Sequence, residues 1–285
     1  MTKYFFDKDA AKKAIGFIET FITHTKGEFT NQKFKLENWQ IKIVGDIFGW
    51  KNKKTNLRKY RTVFIEVPRK NGKSTLCAAI GLYMLFADEE RGSEVYSAAG
   101  DRSQAGIVFE IAKGMVMQNQ ELSNRAKVFR NSIVNDSKGN FYQAISSDSK
   151  TKHGFNANCI IFDELHTQPN RDLWDTLTTS VGSRRQPLTI AITTAGYDKN
   201  SICYEIYSYA KKVSDNVIND ETFYSVIYEA ENDDDITLEI TWKKANPNYN
   251  ISLKKEYMER ESQRAIDVPS YQNTFRRLML NQWTD

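Results

Sequence analysis

The stretch from residue 62 to residue 87 constrains the fold of this chain more than any other. Residues 62–67, "TVFIEV", are apolar and β-branched, which predicts a buried strand. Residues 74–87 are mostly apolar, too few to cross a membrane, and predict a buried helix. The loop between them ends in Gly72-Lys73-Ser74-Thr75. A buried strand that passes through a short loop into a buried helix is the basic unit of a parallel sheet covered by helices.

The end of this loop has the composition of a phosphate-binding loop, in which backbone amides at a helix N-terminus bind phosphate oxygens. Lys73 can reach the β- and γ-phosphates of a nucleotide, and the Ser74 hydroxyl can bind Mg²⁺. The amides of Asn71 and Gly72 can point at phosphate oxygens. The front of the loop departs from the pattern, because Val67 stands where a glycine is expected.

Three further apolar segments predict parallel strands at residues 93–99, 158–162 and 188–195. Polar loops and helices follow them, the helices starting near Arg102 and Asn170, and residues 132–147 predict a hairpin. This succession predicts an α/β fold of the P-loop NTPase type (RecA/ASCE-like), with a mostly parallel sheet and helices on both faces. A small α-rich C-terminal lid or linker subdomain is also expected.

Three regions follow from this interpretation. Residues 1–61 are expected to form helices and a basic connector on the adenine side of the domain. Residues 62–200 are expected to hold the P-loop core, and residues 201–285 the lid, in which "TFYSVIYEA" at 222–230 is strand-like.

An acidic pair follows the strand at 158–162. Asp163 can hold Mg²⁺ through water, and Glu164 can polarise the water that attacks the γ-phosphate. An acidic pair after an apolar strand is otherwise an ordinary strand end or helix cap. Its occurrence together with Lys73 favours a nucleotide hydrolase, and an acid at position 164 favours hydrolysis over phosphoryl transfer to another molecule.

Two more segments are candidates for the same site, each with a structural alternative. Thr193 and Thr194 can sense the γ-phosphate at the end of a strand, or they are simply β-formers before a turn. Trp39 can stack on a base and the Gln40 amide can bind an adenine edge, or both belong to an ordinary helix surface.

Composition limits the other classes of function. The three cysteines are far apart in the sequence, which predicts reduced core thiols, and no Cys/His cluster has metal-ligand spacing. The N-terminus has no apolar segment of a secretory leader.

Residues 1–75 carry a net charge of +10 and the rest −6, with six cations in residues 51–61. That basic stretch is either a solvated loop or a surface that faces nucleic acid or a partner.

Together these segments resemble the large subunit of tailed-bacteriophage terminase, a DNA-packaging motor. The resemblance extends over nearly the whole chain and includes "RKNGKS" at 69–74, "IIFDELH" at 160–166 and "GSRRQPLTIAITTAG" at 182–196. It continues through "FYSVIYEA" at 223–230, "KKANPNYN" at 243–250 and "LMLNQW" at 278–283. The longer segments are specific to the family, whereas the short phosphate-loop and acid motifs are not.

The resemblance implies roles for individual residues. Arg69 stands where the family has an arginine in its phosphate loop, and Glu164 matches the catalytic carboxylate. Ser74 and Asp163 match the metal-side residues, and Gln40 matches the adenine-contacting glutamine. The expected nucleotide-binding residues are Trp39, Gln40, Pro68, Arg69, Lys70, Asn71, Gly72, Lys73, Ser74 and Thr75. The coupling motif is expected at Thr193, Thr194 and Ala195.

The resemblance also implies cofactors and partners: ATP, Mg²⁺, double-stranded DNA, the portal protein and the terminase small subunit. Family motors act as rings at the procapsid portal in the host cytoplasm, so an arginine can reach a neighbouring subunit's ATP. Arg184 is the first candidate for that role and Lys152 a weaker one. The family's C-terminal nuclease would begin about where this sequence stops, so DNA cleavage is not expected from this chain.

Two other functions fit some of these residues. A helicase-like translocase also carries a "DELH" segment, but it needs a second RecA-like lobe, and residues 201–285 are too few and too acidic for one. A nucleotide-gated assembly module without catalysis would not require Lys73, Asp163 and Glu164 together.

Overall fold

A computed structural model describes residues 2–146 and 154–284, and of residues 102–104 the backbone alone. The strands are β1 Tyr4–Phe6, β2 Trp50–Asn52, β3 Thr62–Glu66, β4 Glu94–Ala99, β5 Lys127–Val128, β6 Ser132–Asn135, β7 Asn140–Ser146, β8 Cys159–Asp163, β9 Leu188–Thr193 and β10 Phe223–Ile227. The helices are α1 Lys8–Phe21, α2 Asn38–Gly49, α3 Lys73–Phe86, α4 Arg102–Gln118, α5 Gln120–Ser123, α6 Asp172–Thr179, α7 Ile202–Ser214, α8 Glu239–Ala245, α9 Lys255–Asp267 and α10 Pro269–Leu280. A short 3₁₀-helix covers Leu165–Thr167.

The main sheet has eight strands in the order β10-β3-β9-β8-β4-β7-β6-β5. The first six strands are parallel, and β6 and β5 complete the sheet in antiparallel pairs. The predicted hairpin is confirmed, since Asn135 of β6 pairs with Asn140 of β7. The carboxyl ends of β3, β9 and β8 are adjacent, so the loops that follow these strands meet at one edge of the sheet.

Helices cover both faces of the sheet, which confirms the predicted α/β architecture. Successive side chains of a strand point to opposite faces. In β3, Val63 and Ile65 therefore pack with α1–α4, whereas Phe64 packs with α6 and α7. Helix α3 is apolar on nearly all sides because it is buried between the sheet and α1, as its composition predicts.

The region predicted as the lid divides between two parts of the structure. Helix α7 packs on the sheet and β10 extends it, with Phe223 paired to Thr62 of β3. Helices α8–α10 form a separate apolar cluster around Trp242, Met258 and Phe275. The main sheet thus continues past residue 200, the predicted boundary, because residues 202–227 add a further parallel strand and its helix to the edge at β3. In the part of the chain that the structure describes, no helix is both long and apolar enough to cross a membrane.

Gly100 follows β4 and lies against the 3₁₀-helix. A Cβ atom at Gly100 would lie 2.5 Å from the backbone carbonyl oxygen of Thr167. We expect Gly100→Ala to lower the free energy of unfolding by about 1–3 kcal/mol, because backbone atoms must move to accommodate the methyl group. Urea denaturation measures this change.

Gly106→Ala is the matched control. Gly106 lies inside α4, and a Cβ atom there has no neighbour within 4 Å. This variant should gain up to about 1 kcal/mol from helix propensity. Equal unfolding midpoints for the two variants would contradict the close packing of Gly100.

Candidate nucleotide-binding site

The loop between β3 and α3 turns through two residues with positive φ. Gly72 has φ 80° and directly precedes α3, a conformation that glycine adopts without steric cost. Lys70 has φ 69°, which is unusual for a residue with a side chain, and its carbonyl oxygen accepts a hydrogen bond of 2.6 Å from Ser252 Oγ. A contact from the α8–α9 region therefore accompanies the unusual conformation in the front half of the loop.

The Lys73 ammonium group connects this loop to β9. It donates to the carbonyl oxygens of Val67 at 2.9 Å and Pro68 at 3.3 Å, and to Thr194 Oγ1 at 2.6 Å. Its Nζ lies 4.0 Å from Glu164 Oε1. Burial lowers the pKa of Lys73, and the neighbouring carboxylates of Glu164 and Asp163 oppose that shift. The ammonium thus lies among a loop carbonyl pair, a threonine and an acid.

Ser74 and Asp163 face each other across the start of α3. The Ser74 hydroxyl donates to Asp163 Oδ2 at 3.1 Å. Burial, and next the charge of Glu164, raise the pKa of Asp163 to about 7. A buried carboxylate with a raised pKa gains from a nearby cation, and hydroxyl and carboxylate oxygens are ligands suited to Mg²⁺. The donor set therefore fits a magnesium ion.

Glu164 follows β8 with φ 48° and points into a cleft of about 340 Å³. Arg69, Lys73, Ser74 and His166 also line this cleft. Glu164 Oε2 is buried and has no hydrogen-bond partner among the described residues. A buried carboxylate oxygen without a partner is costly, and a bound water or ligand group could satisfy it.

His166 is a residue of the site that sequence reasoning did not single out. Its Nδ1 lies 3.0 Å from Thr193 Oγ1 and 3.3 Å from Glu164 Oε2. Burial lowers the pKa of His166 to about 4, so the ring is neutral at neutral pH. The signal in the sequence was its position two residues after Glu164, where the chain returns towards the strand end.

Thr193 ends β9 beside these groups, Thr194 and Ala195 follow it, and all three are buried. The Thr193 hydroxyl donates to the Thr194 carbonyl oxygen at 2.9 Å. The backbone N–H of Ala195 donates to Asn281 Oδ1 at 2.8 Å. The predicted coupling segment is thus in direct contact with Lys73 on one side and with the C-terminal residues on the other.

The chain matches the family model "Terminase large subunit, ATPase domain" over residues 38–212. The matched range contains the loop, both acids and the segment 193–195. The chain belongs to this family. The fold class predicted from the sequence is thereby confirmed.

Two curated relatives and one solved structure show the extent of the similarity. The terminase large subunit of Enterobacteria phage HK97 is 30% identical over 277 residues, which is 95% of this chain and 53% of that protein. The crystal structure of the HK97 large terminase has a TM-score of 0.83 at 28% identity and covers 96% of this chain and 55% of that one. The terminase large subunit of Lactococcus phage SK1 is 25% identical over 284 residues, 96% of this chain and 51% of that protein. The chain spans about half the length of the curated relatives it matches.

The two predicted adenine-side residues lie beside the loop, but much of their polar surface is bound within the protein. Gln40 Oε1 accepts a hydrogen bond from the Glu37 N–H at 2.9 Å in a capping box, and Gln40 Nε2 lies near Gly72. Trp39 is buried, and its Nε1 donates to Asn248 Oδ1 at 2.7 Å. The Gln40 amide nitrogen remains a candidate ligand group, whereas the Trp39 indole is occupied in packing.

The structure separates the two predicted arginines. Arg69 is exposed at the cleft, and no carboxylate of the described residues pairs with it within 4.0 Å. Arg184 lies where the parallel strands begin, at the end of the sheet away from the cleft. It donates to the carbonyl oxygens of Asn156 at 2.8 Å and Gly92 at 2.7 Å. The segment before β9 lies at the amino ends of the parallel strands, so Arg184 is not brought to its own chain's site. Lys152 lies outside the described residues.

Two asparagines that sequence reasoning did not assign to the site, Asn246 and Asn248, hold the predicted loop residue Asn71. Asn71 Nδ2 donates to Asn246 Oδ1 at 2.8 Å, and the Asn248 N–H donates to Asn71 Oδ1 at 3.0 Å. Asn248 Nδ2 also donates to the Asn71 carbonyl oxygen at 3.2 Å. The asparagine-rich "KKANPNYN" segment was the available signal, but its contact with Asn71 spans 175 residues.

His166 should make stability depend on pH. Because its pKa in the folded protein is about 4, below the ordinary value of 6.5, the unfolded chain binds a proton there more readily. Stability is therefore complete above pH 6.5 and falls as the pH drops towards 4. At pH 5 this penalty is about 2 kcal/mol.

His166→Gln should remove that part of the pH dependence. We expect the difference in unfolding free energy between wild type and variant to shift in the variant's favour by about 2 kcal/mol between pH 8 and pH 5. Denaturant unfolding at both pH values measures it. A difference that does not change with pH would contradict a neutral, buried His166.

Proposed function

We propose that this chain is a motor domain that hydrolyses Mg-ATP to drive double-stranded DNA into a procapsid. The observation that carries the proposal is the convergence of Lys73, Ser74, Asp163, Glu164 and Thr194 at the carboxyl ends of β3, β8 and β9. Membership of the terminase ATPase family supports it.

Nucleotide binding follows from the loop and the two metal-side residues. The amides of the loop and of the first turn of α3 would bind phosphate oxygens, with Lys73 donating to the β- and γ-phosphates in place of its present protein partners, Thr194 included. Ser74 and Asp163 would hold Mg²⁺, Asp163 directly or through water. When bound, the ion would supply positive charge that offsets the charge of the phosphates.

Hydrolysis requires an oriented water, and Glu164 has the position for this role. Its carboxylate borders the cleft opposite Lys73, and Oε2 is free of protein hydrogen bonds among the described residues. A carboxylate in this position can accept a hydrogen bond from the attacking water and orient it. His166 Nδ1 lies 3.3 Å from the same oxygen and contacts Thr193, so the ring borders the carboxylate on the side of β9.

Arg69 would stabilise the charge that develops on the γ-phosphoryl oxygens. It lies at the cleft without a carboxylate partner among the described residues, so its charge is available to an anionic ligand. A fixed cation beside the transferred group acts in the transition state more than in the ground state. The loop thus has no glycine at position 67 but presents a cation, Arg69, at the cleft.

The same contacts suggest how hydrolysis could move the protein. Thr194 is bonded to Lys73, and Thr193 to His166 beside Glu164. Loss of the γ-phosphate would change the partners of Lys73 and Glu164, and both changes reach β9 directly. Thr193, Thr194 and Ala195 would therefore be the coupling segment.

DNA and the packaging partners are proposals from family membership. DNA would be held through its phosphates without base readout, because packaging must accept any sequence. Among the cations of residues 51–61, Arg58 is buried with Asp88 at 3.3 Å, whereas Lys53 and Lys54 are exposed. We further propose a ring of subunits docked on the portal protein in the host cytoplasm, with the small subunit as a partner. Within the predicted 201–285 lid, helices α8–α10 would act as the lid and linker.

Glu164→Gln tests the catalytic assignment. The amide keeps the shape of the carboxylate but cannot accept a proton, so we expect kcat to fall by about 10²- to 10⁴-fold while ATP affinity changes little. Phosphate release and nucleotide titration measure the two quantities. Undiminished turnover would remove Glu164 from its role.

Arg69→Ala tests the arginine. We expect kcat to fall by about 10²-fold with a smaller loss of ATP affinity, because the guanidinium acts on charge that develops in the transition state. Arg130→Ala removes an exposed arginine outside the cleft and is the matched control. A loss confined to affinity would make Arg69 a ground-state contact only.

A further inference from the structure

Residues 278–283, here called the terminal segment, contact both sides of the nucleotide site without lining its cleft. The Leu278 carbonyl oxygen accepts a hydrogen bond of 3.0 Å from the Arg69 N–H. Asn281 Oδ1 accepts one of 2.8 Å from the Ala195 N–H. The phosphate loop and the coupling segment are therefore both bound to one short piece of chain.

Trp283 adds a second connection between the same two parts. Its Nε1 donates to Glu66 Oε1 at 3.1 Å, and Glu66 is the last residue of β3 before the loop. Its ring covers Gly196, where a Cβ atom would lie 2.8 Å from the ring. The rings of Tyr204 and Tyr207 flank it at 4.9 and 5.6 Å. Trp283 therefore contacts both the end of β3, at Glu66, and Gly196, the residue after the coupling segment.

The buried side chain of Glu66 depends on its hydrogen bond with Trp283. Its side chain is fully buried, and Oε2 has no hydrogen-bond partner among the described residues. Burial raises the pKa of Glu66, and the Trp283 hydrogen bond opposes the shift. A buried acid with one polar partner depends strongly on that partner.

Asn281, which binds the Ala195 N–H, is itself held in place by burial and by a second hydrogen bond. It is fully buried, has φ 59°, and its Nδ2 donates to the Tyr228 carbonyl oxygen at 2.8 Å. Asparagine tolerates this left-handed conformation better than most residues, and its side chain supplies both the acceptor and the donor. The coupling segment is thereby fixed to the end of β10 as well as to Lys73.

We propose that Asn281 and Trp283 are positioning residues for ATP hydrolysis and that Trp283 reports the state of the nucleotide site. Phosphate binding draws Lys73 away from Thr194, the segment Thr194–Gly196 shifts, and the indole against Gly196 and Glu66 changes its surroundings. The terminal segment thus carries the nucleotide state out of the site. This inference rests on the function proposed above.

The experiment compares Trp283→Phe with Trp50→Phe. Both substitutions remove an indole N–H that is bound to a carboxylate, since Trp50 Nε1 donates to Asp46 Oδ1 at 3.2 Å far from the cleft. Phenylalanine keeps an aromatic ring at position 283 but lacks the indole atoms that lie nearest Gly196. Tryptophan emission is recorded while Mg-ATP is added, and kcat and the dissociation constant of ATP are measured for each protein.

We expect wild type and Trp50→Phe to change emission on binding Mg-ATP, and Trp283→Phe to lose most of that change. We expect kcat of Trp283→Phe to fall about three- to tenfold with nearly unchanged affinity, as one lost positioning hydrogen bond predicts. Both effects are required. Retention of either the full emission change or the full kcat overturns the inference.

Asn281→Gly is the second variant, and it guards against a general loss of stability in the first. Glycine keeps the left-handed backbone and deletes only the two side-chain hydrogen bonds. It should lower kcat similarly and weaken the emission change of Trp283. If wild type does not bind Mg-ATP, the proposed function fails and the inference with it. If wild type binds and hydrolyses ATP while these variants behave like it, the inference alone is overturned.

Discussion

The hydrogen bonds of the Lys73 ammonium hold the centre of this structure together. A buried ammonium must be satisfied by several acceptors, and here they come from the loop carbonyls and from Thr194 on the neighbouring strand. That arrangement requires β3 and β9 to be parallel neighbours in register, as they are, with Glu66 opposite Thr193. Strand β8 lies next to β9 and delivers the acids to the same point. The site is thus a consequence of strand order.

The loop makes its turn without the glycine that a phosphate-binding loop usually has at the position of Val67. Val67 is fully buried, and the turn is made instead at Lys70 and Gly72. Backbone groups in such a turn need partners, and the region beyond β10 supplies them. Ser252 bonds the Lys70 carbonyl, and Asn248 bonds the Asn71 backbone and side chain. The loop is therefore held both by the sheet and by the segment between α8 and α9.

Sequence reasoning located the strands, the loop and the acids because their signals are local. It did not find His166, whose role comes from the fold of a short 3₁₀-helix back onto Thr193. It proposed Arg184 as the arginine that reaches a neighbouring subunit's ATP, and the structure places this residue at the amino ends of the parallel strands, away from its own chain's site. In a parallel strand the residues before and after it lie at opposite edges of the sheet, and sequence distance does not show which edge matters. The contacts of Asn71 and Asn281 join residues far apart in the chain and carry no periodic signal.

The sequence by itself determined the α/β class, the positions of the parallel strands and the identity of the loop and acid residues. Apolar runs and loop composition involve residues that are close together in the sequence, so they can be recognised before the fold is known. The tertiary structure alone decided which strand ends meet, that β10 belongs to the main sheet, and that Asn246, Asn248, Ser252 and Leu278 contact the loop. Those contacts depend on burial and hydrogen-bond partners from distant segments, which come together only when the sheet and its helices have packed.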